Sequence, residues 1–563
     1  VLNIFRSLLS VSLYFTQFYS NDRFMSGLFK SSNSNLNLMK PSWKDEFSFY
    51  LMLSSTTVDI SPQLLILLAI ILLCVGLGAK GLAEKDITPS HLRRPPGPYG
   101  VPVLGNLLQL GREPHKTLTA YRKTYGNVYQ LTLGSRPTVV LNGYDTVRKA
   151  LVKQADDFAG RPDFYSFNFI ANGKSMGFGD LSPRWRMHRK IAQNALGMFA
   201  NKKQNPIEDN ILDEAKLLVS NLVALGSSSD GTTVPVDPHN EVYLSVGNII
   251  CAMCFGERYQ RDDPDFLHLV KMNDEFMRFA GAGNPVDIMP WMRHFTKGSF
   301  KRFIGILNTM DNFCLKKRQE HLDTYIPGEL RDITDALIRI VQETPEEEKA
   351  AVGLTDEHIL TTVQEMIGAG FDTISTTIMW AILFMAAHQD FQQKVQKEID
   401  QVIGKGRFPS ADDIQSLPFT EACIIETMRH SCIFPFALPH ATTCDTSLDG
   451  IYIPDKTLIF VNLWSVNHDE NVFPEPEKFN PYRFLKPDGS VVDKLSFFPY
   501  GCGKRKCPGE LLARLEVFMF FTTLLQRCTF KPVDGDTIKL NSKYGLTLKP
   551  NDYKVIVSQR GLD

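Results

Sequence analysis

The sequence lacks an excess of charge of either sign: 61 Lys and Arg stand against 62 Asp and Glu, for a formal net charge of −1 at pH 7. A nearly neutral chain has no global attraction to nucleic acid, which we therefore exclude as a partner. No internal repeat of fixed period is visible, so the pattern does not favour a solenoid or a propeller.

Cysteine is scarce, with ten residues scattered through 563 positions. This spacing argues against a disulfide framework and favours a reducing compartment, in which one cysteine can act as a ligand or nucleophile. Cys251 and Cys254 have the CxxC spacing of redox and metal sites. They lie in an apolar stretch without a second pair, so we interpret them as helix core.

One apolar run, residues 64–79, contains no polar or charged side chain. With its flanks it approaches the roughly 20 residues that a helix needs to cross a bilayer, and residues 60–82 are predicted to be a membrane anchor. The basic residues that follow are Lys80, Lys85, Arg93 and Arg94. By the positive-inside rule they place the later chain on the cytosolic side. A cleaved signal peptide is disfavoured because no small-residue cleavage site is evident.

The segments around the anchor differ in composition. Residues 1–59 are interpreted as a leader, either a transit signal or an extension ahead of an initiation site that we place at Met52. Residues 83–98 end in the sequence RRPPGP, which predicts a stiff extended hinge. Residues 99–563 are expected to form one domain. Its periodicity is mostly helical, as at 209–225, 355–388 and 421–429, with short strands at 128–133, 138–141, 451–453 and 457–461. We predict a mainly α fold with small β-sheets.

The strongest chemical signal is the segment YGCGKRKCPG at residues 500–509. Its glycines allow tight turns, and Pro508 suits the first position of a helix predicted for residues 510–525. Cys507 then lies at a helix N-terminus with three cations just upstream, and both features favour the thiolate. A thiolate in this setting is a suitable axial ligand for haem iron.

A second signal lies within the long helical pattern, where GAGFDT occupies residues 368–373. Glycines and an acid–threonine pair are locally unfavourable inside a helix. Because a threonine hydroxyl competes for the helix hydrogen bonds, we expect a local opening there. Asp372 and Thr373 could then hold O₂ and relay protons.

Two further pairs have helical spacing. Glu426 and Arg429 lie three residues apart on one face, and Arg483 offers a second cation for the same carboxylate. Trp185 and Arg189, four residues apart, could both donate to one acidic group. The sequence GKSMG at residues 173–177 matches the GxSxG pattern of serine hydrolases. It lacks the strand–turn–helix context that such an elbow requires.

Taken together and in this order, the anchor, Pro-rich hinge, WxxxR, AGxDT, ExxR, FNPxRF and cysteine loop resemble the cytochrome P-450 superfamily. The resemblance extends from Arg94 to the C-terminus. It departs at Tyr500, where the family usually has Phe, and at Ile374, where a second Thr or Ser is common. The resemblance implies the cytochrome P-450 fold, preceded by one transmembrane helix, and a haem b cofactor.

The resemblance also implies roles for individual residues. Cys507 would be the iron ligand, and Asp372 and Thr373 the oxygen-activation pair. Glu426, Arg429 and Arg483 would form a structural triad. The implied contacts of the haem propionates are Trp185, Arg189, His440 and Arg505.

Within the superfamily, the runs RPD at 161–163 and YGLT at 544–547 look like the microsomal aryl-hydrocarbon and oestrogen hydroxylases. Phe167 and Phe371 would then be aromatic walls of the substrate pocket. The implied activity is hydroxylation of lipophilic substrates (aromatic hydrocarbons, steroids or fatty acids) in the endoplasmic reticulum membrane, with the catalytic domain facing the cytosol. Electrons would come from an NADPH-dependent flavoprotein reductase, with cytochrome b5 as a further partner. The alternatives are a haem-thiolate isomerase or dehydratase acting on peroxides, and a non-catalytic haem-binding protein.

Overall fold

The computed structural model describes residues 88–200, 207–228, 232–533 and 538–561. The predicted leader and the predicted anchor at 60–82 lie outside these ranges. Contacts divide the chain into two units. Of the described residues, Gly100–Gln109 belong to the first unit and all others to the second, which contains the candidate site.

Most regular structure in the described part of the chain is helical. In chain order the α-helices are α1 (Leu107–Leu110), α2 (Pro114–Tyr125), α3 (Tyr144–Arg148), α4 (Pro183–Ala200), α5 (Ile207–Leu225), α6 (His239–Phe255), α7 (Pro264–Ala282), α8 (Pro285–Ile288), α9 (Lys297–Thr324), α10 (Ile333–Glu343), α11 (Glu346–Ala351), α12 (Asp356–Leu360), α13 (Thr362–Ala387), α14 (Gln389–Val402), α15 (Pro418–Ser431), α16 (Trp464–Asn467) and α17 (Glu510–Arg527). Short 3₁₀ turns include Ile170–Gly173 and Gly503–Arg505.

The strands are short and form small sheets. They are β1 (Val128–Leu133), β2 (Arg136–Asn142), β3 (His440–Ala441), β4 (Thr446–Leu448), β5 (Ile451–Ile453), β6 (Leu458–Asn462), β7 (Cys528–Lys531), β8 (Ser542–Lys543), β9 (Lys549–Pro550) and β10 (Ile556–Gln559). One sheet has four strands in the order β1-β2-β6-β3, with β2 parallel to β6. The pairs β10-β7, β4-β5 and β8-β9 form two-stranded sheets. The prediction of a mainly α fold with small sheets is confirmed.

Helix α13 lies at the centre of the core. It contacts α6, α7, α15 and α17, and every residue from Ile374 to Ala386 is buried. A helix with apolar side chains on all faces is stable when other elements cover every face. Among the described residues one helical stretch, Asp356–Ala387, is long and apolar enough to cross a membrane, but 78% of its most apolar window is buried within the protein. The single helix predicted for 355–388 is interrupted at Thr361, between α12 and α13.

A buried histidine connects α9 to the start of α10. His321 lies with Nδ1 2.8 Å from the Lys317 carbonyl and Nε2 2.8 Å from a carboxylate oxygen of Asp332. Both partners are acceptors, so the ring can donate to both at once only in its protonated form. Burial alone would lower the pKa of His321, but the hydrogen bond and charge of Asp332 raise it above 6.5.

We predict that this contact makes stability depend on pH. Because the folded pKa is raised, the stabilisation is fully present below the unfolded pKa and is lost as the pH rises through the folded pKa. The difference in urea midpoint between the wild type and His321→Gln should therefore shrink as the pH rises from about 6.5 into the alkaline range. The exposed His268 supplies the control His268→Gln. A difference for His321→Gln that stays constant over this range would contradict the prediction.

Candidate active site

The cysteine loop is fixed by one glycine and one main-chain hydrogen bond. At Gly503, which has φ 69°, a Cβ atom would lie 1.8 Å from the Leu151 carbonyl oxygen. Only glycine permits both this φ and this approach. Cys507 donates its N–H to the Tyr500 carbonyl over 2.9 Å, which closes the loop. Helix α17 begins at Glu510, so Cys507 lies just ahead of a helix N-terminus, as predicted from the sequence.

Burial and nearby positive groups act in opposite directions on the pKa of the Cys507 thiol. The residue as a whole is exposed, yet its thiol is enclosed enough that burial raises the pKa. The Gly509 N–H and the charge of Arg189 lower it. A positive ligand such as a metal ion would add to the second effect and favour the thiolate. By contrast, burial raises the pKa of Cys254 well above its ordinary value, in keeping with a helix-core role for the CxxC pair.

Cationic side chains meet around the Trp185 indole. The Arg505 guanidinium lies 4.1 Å from the ring centroid and that of Arg189 lies 5.5 Å away. The indole N–H donates to the Met176 carbonyl over 2.8 Å. Arg505 donates to the carbonyls of Ala159 and Gly179, over 2.9 Å each. The structure thus brings together three of the side chains predicted to contact propionates.

Arg161 joins this group, although sequence reasoning gave it no such role. Its guanidinium is buried and donates to carbonyls of Gly177, Leu438 and Pro439. Burial, followed by the charge of Arg189, lowers the pKa of Arg161 to about 9. Burial, followed by the charge of Arg161, lowers the pKa of Arg505 to about 8. The only available signal was the RPD run, which shows nothing about where the side chain points.

His440 lies in the same electrostatic environment. Its Nδ1 lies 2.7 Å from the Phe158 carbonyl, to which it donates. Burial, followed by the charge of Arg161, lowers its pKa to about 3, so the ring is neutral and Nε2 is an acceptor. A carboxylate beside it would favour the protonated form and turn Nε2 into a donor. His440 is the fourth predicted propionate contact, and it would therefore donate from Nε2 only when a carboxylate lies beside it.

These guanidiniums repel one another and have few carboxylates to balance them. An anionic group bound among them would remove the repulsion and make charge-assisted hydrogen bonds. The two carboxylates of a haem match that requirement. The residues present therefore fit a haem with its iron at Cys507.

Helix α13 shows an open face at the level of the GAGFDT segment. Ala369 is exposed and Thr373 half-buried, although the helix lies in the core. A Cβ placed on Gly368 would have no atom within 4 Å. Thr373 donates its hydroxyl to the Ala369 carbonyl over 2.9 Å, so the hydroxyl stays close to the helix. Helix α13 continues without interruption here. In place of the expected local opening of the helix, a stripe of small side chains leaves part of its surface uncovered.

Asp372 is fully buried beside this stripe and has three donors. The Tyr243 hydroxyl and the Thr547 hydroxyl each lie 2.6 Å from one of its oxygens, and the Lys549 ammonium lies 2.5 Å away. Lys549 also pairs with Asp274 over 2.8 Å. Burial, followed by the charge of Asp372, raises the pKa of Tyr243 well above its ordinary value, which keeps it a donor. Sequence reasoning missed these partners, which come from distant segments.

The two predicted aromatic walls lie in different places. Phe167 is half-buried, with its ring centroid 4.8 Å from that of Phe178. Phe371 is fully buried in the helical core, 3.5 Å from where a Cβ on Gly247 of α6 would lie. Since a helix turns by about 100° per residue, Phe371 points roughly opposite to Ala369 and Thr373. This packing argues against the predicted pocket role of Phe371.

The ExxR pair is a fully buried ion pair. Arg429 donates Nε and Nη2 to the two oxygens of Glu426 over 2.6 and 2.9 Å, and both side chains are 0% exposed. Arg429 also donates to the carbonyls of Asn467 and Pro476. Arg483 lies 3.6 Å from Glu426, a looser contact than the predicted triad suggests.

Ser175, the serine of the GxSxG pattern, has no hydrolase geometry. A 3₁₀ turn, Ile170–Gly173, precedes it in place of a strand, and its hydroxyl donates to Glu365 of α13. A nucleophilic serine requires a base and a strand–turn–helix elbow. The sequence-based rejection of a serine hydrolase agrees with this structure.

A mainly helical fold with a cysteine just ahead of one helix and an opened face on a central helix is typical of haem-thiolate enzymes. A family model described as Cytochrome P450 matches residues 95–557. Cytochrome P450 1A1 of Limanda limanda is 42% identical over 471 residues, 82% of this chain and 90% of that protein. The human protein of that name is 43% identical over 476 residues, 83% and 92% of the two chains. Cytochrome P450 1A3 of Oncorhynchus mykiss is 41% identical over 504 residues, 88% and 96%.

The chain therefore belongs to the cytochrome P450 family, and it is a monooxygenase. This membership implies a haem-iron cofactor, which the residues around Trp185 and Cys507 fit.

We predict that the buried ion pair is essential to the fold. Arg429→Lys keeps the charge but loses the forked geometry, and should lower the free energy of unfolding by about 3 kcal/mol because a buried carboxylate becomes poorly paired. The matched control is Arg339→Lys, at an exposed pair with Glu343, which should leave stability unchanged within error. Denaturant titration compares the two. Equal effects would contradict the prediction.

Proposed function

We propose that this enzyme hydroxylates lipophilic substrates (aromatic hydrocarbons, steroids or fatty acids) at a haem b bound through Cys507. The observation that supports this most directly is the combination of the cysteine loop, the cationic group around Trp185 and the open stripe on α13. The relatives named Cytochrome P450 1A1 and 1A3 support the resemblance to aryl-hydrocarbon hydroxylases. No described contact favours a peroxide isomerase or a non-catalytic haem protein.

Each part of the site has a proposed task. Cys507 would bind the iron, and Trp185, Arg189, Arg505 and His440 would bind the propionates, with Arg161 added from its position among them. The haem, when bound, supplies O₂ binding and reduction. The small residues Gly368 and Ala369 leave space beside α13 for substrate and O₂.

The acid–threonine pair would handle protons. Thr373 offers a hydroxyl on the open stripe, and Asp372 lies one residue earlier with its carboxylate bound by Tyr243, Thr547 and Lys549. These three donors hold the carboxylate in one position. We propose that, when one of these bonds opens, Asp372 takes up a proton supplied by solvent and passes it toward Thr373.

Electrons would come from an NADPH-dependent flavoprotein reductase, with cytochrome b5 as a second donor. Lys506 is exposed near Cys507, whereas Arg505 points inward to Trp185. Lys504 and Arg186 share the carboxylate of Asp156. Fewer of the three consecutive cations at 504–506 are therefore available to attract an acidic redox partner than the sequence suggests.

The arrangement in the cell is also a proposal. We propose residues 60–82 as a single membrane anchor in the endoplasmic reticulum, with lipid as its partner. Residues 1–59 would be a leader, 83–98 a hinge and 99–563 the catalytic domain facing the cytosol. Support comes from the apolar run at 64–79 and the basic residues that follow it.

Absorbance of the reduced protein with carbon monoxide tests the iron ligand. We expect a strongly red-shifted Soret band in the wild type, because a thiolate pushes electron density onto iron, and its loss in Cys507→Ser. Cys502→Ser, which alters the half-buried cysteine of the same loop, should keep the band. The proposal fails if folded wild type binds haem without the shifted band, or if Cys507→Ser retains it.

Coupling of NADPH use to product tests the acid–threonine pair. Asp372→Asn and Thr373→Ala should each lower the rate of product formation by about 10²-fold, the usual scale for loss of a proton-transfer group, with NADPH consumption diverted to peroxide. Thr377→Ala is the matched control, since Thr377 also donates to the carbonyl four residues earlier. Wild-type coupling in a variant that carries both Asp372→Asn and Thr373→Ala would exclude this role.

A further inference from the structure

Glu365, in the first turn of α13, accepts three hydrogen bonds from one short loop. The Ser175 hydroxyl and the Gly177 N–H donate to one carboxylate oxygen, the latter over 2.8 Å. The Met176 N–H donates to the other over 3.0 Å. Sequence reasoning singled out Ser175 only to reject it as a nucleophile, and gave Glu365 no role.

The opposite side of the same loop faces the cationic group. The Met176 carbonyl accepts from the Trp185 indole, and the Gly177 carbonyl accepts from Arg161 over 2.9 Å. Arg505 donates to the carbonyls of Met176 and Gly179. The loop's N–H groups therefore point to a carboxylate and its carbonyls point to guanidiniums. Charge-assisted bonds on both sides make this a firmly defined segment.

The loop also connects to the open stripe and to the aromatic side chains. Glu365, Ala369 and Thr373 recur at a spacing of four residues, so they share one face of α13. Phe178 donates its N–H to the Ser175 hydroxyl over 3.0 Å, and its ring packs against Phe167. A shift of the loop would therefore move Phe178 and the acceptors of Trp185 and Arg505 together.

We infer that Glu365 is a positioning residue: through Ser175, Met176 and Gly177 it sets where Phe178 stands against Phe167, a predicted wall of the substrate pocket, and so which position of a flat substrate is oxidised. This inference rests on the proposed function. Glu365 acts through the loop and transfers no proton to O₂, a task that the Asp372–Thr373 pair already has. Its carboxylate is committed to three donors on the loop.

Glu365→Gln is the first test. One of the two oxygens becomes an NH₂ group that faces main-chain or hydroxyl donors, so at least one bond is replaced by a repulsive contact. In the haem-loaded protein, hydrogen exchange of the Met176 and Gly177 amides should accelerate by about tenfold, as expected for loss of one hydrogen bond. Ser175→Ala should give a smaller change in the same direction.

Product analysis supplies the second readout. With a polycyclic aromatic substrate that has several oxidisable positions, Glu365→Gln and Ser175→Ala should shift the product ratio in the same direction. The double variant should resemble Glu365→Gln, because both changes act on one set of contacts. The red-shifted carbon monoxide band should persist in all three, which separates loop position from iron ligation.

The matched control is Glu357→Gln. Glu357 pairs with Lys174, next to Ser175, at the surface. Its loss should leave the product ratio and the Met176 and Gly177 exchange rates unchanged, because an exposed pair adds little.

Two outcomes would overturn the inference. Unchanged exchange at Met176 and Gly177 in Glu365→Gln would show that the carboxylate does not position the loop. A product shift in Glu365→Gln without any in Ser175→Ala would show that Glu365 contacts substrate directly. Absence of turnover and of the shifted band in wild type would instead refute the proposed function, while the exchange data would still decide the loop anchoring.

Discussion

The buried pair of Glu426 and Arg429 is the constraint on which much of the described structure depends. Two charges at 0% exposure are tolerated only when nearly every donor and acceptor is satisfied. Here the partners are main-chain groups that include the carbonyls of Asn467 and Pro476 and the N–H of Asn480. The segments after α16 must therefore fold around α15. The chain then continues from these segments to the loop that presents Cys507, so the ion pair fixes the start of the stretch that leads to the cysteine.

The cationic group around Trp185 differs from this ion pair in how its charges are balanced. Where Arg429 is matched by a carboxylate, Arg161 and Arg505 are matched mainly by carbonyls, and burial and mutual repulsion lower their pKa values. Such a group gains stability when an anion binds, so the free energy of cofactor binding is also free energy of folding. We therefore expect the haem-free protein to unfold more easily than the haem-loaded protein.

Local signals in the sequence predicted local structure well. The turn at Gly503, the start of α17 and the Glu426–Arg429 spacing all depend on residues close together in the chain, and the mainly α fold follows from helical periodicity. Contacts between distant segments were not predictable. Arg161 meets carbonyls 277 and 278 residues away, and Tyr243 lies 129 residues from Asp372. Phe371 was assigned from resemblance alone, without regard to which side of α13 it occupies.

The segment around β9 has a consequence for how the protein is made. Thr547 and Lys549 bind Asp372, the Leu548 carbonyl accepts from Trp380, and the Tyr553 hydroxyl donates to the Met379 carbonyl. All four contacts complete the surroundings of α13, yet the residues of this C-terminal segment are synthesised more than a hundred residues after the helix itself. Because N-terminal segments begin to fold during synthesis, α13 is already synthesised while Asp372 still lacks two of its partners. The surroundings of this central helix are therefore complete only once the C-terminal segment has packed against it.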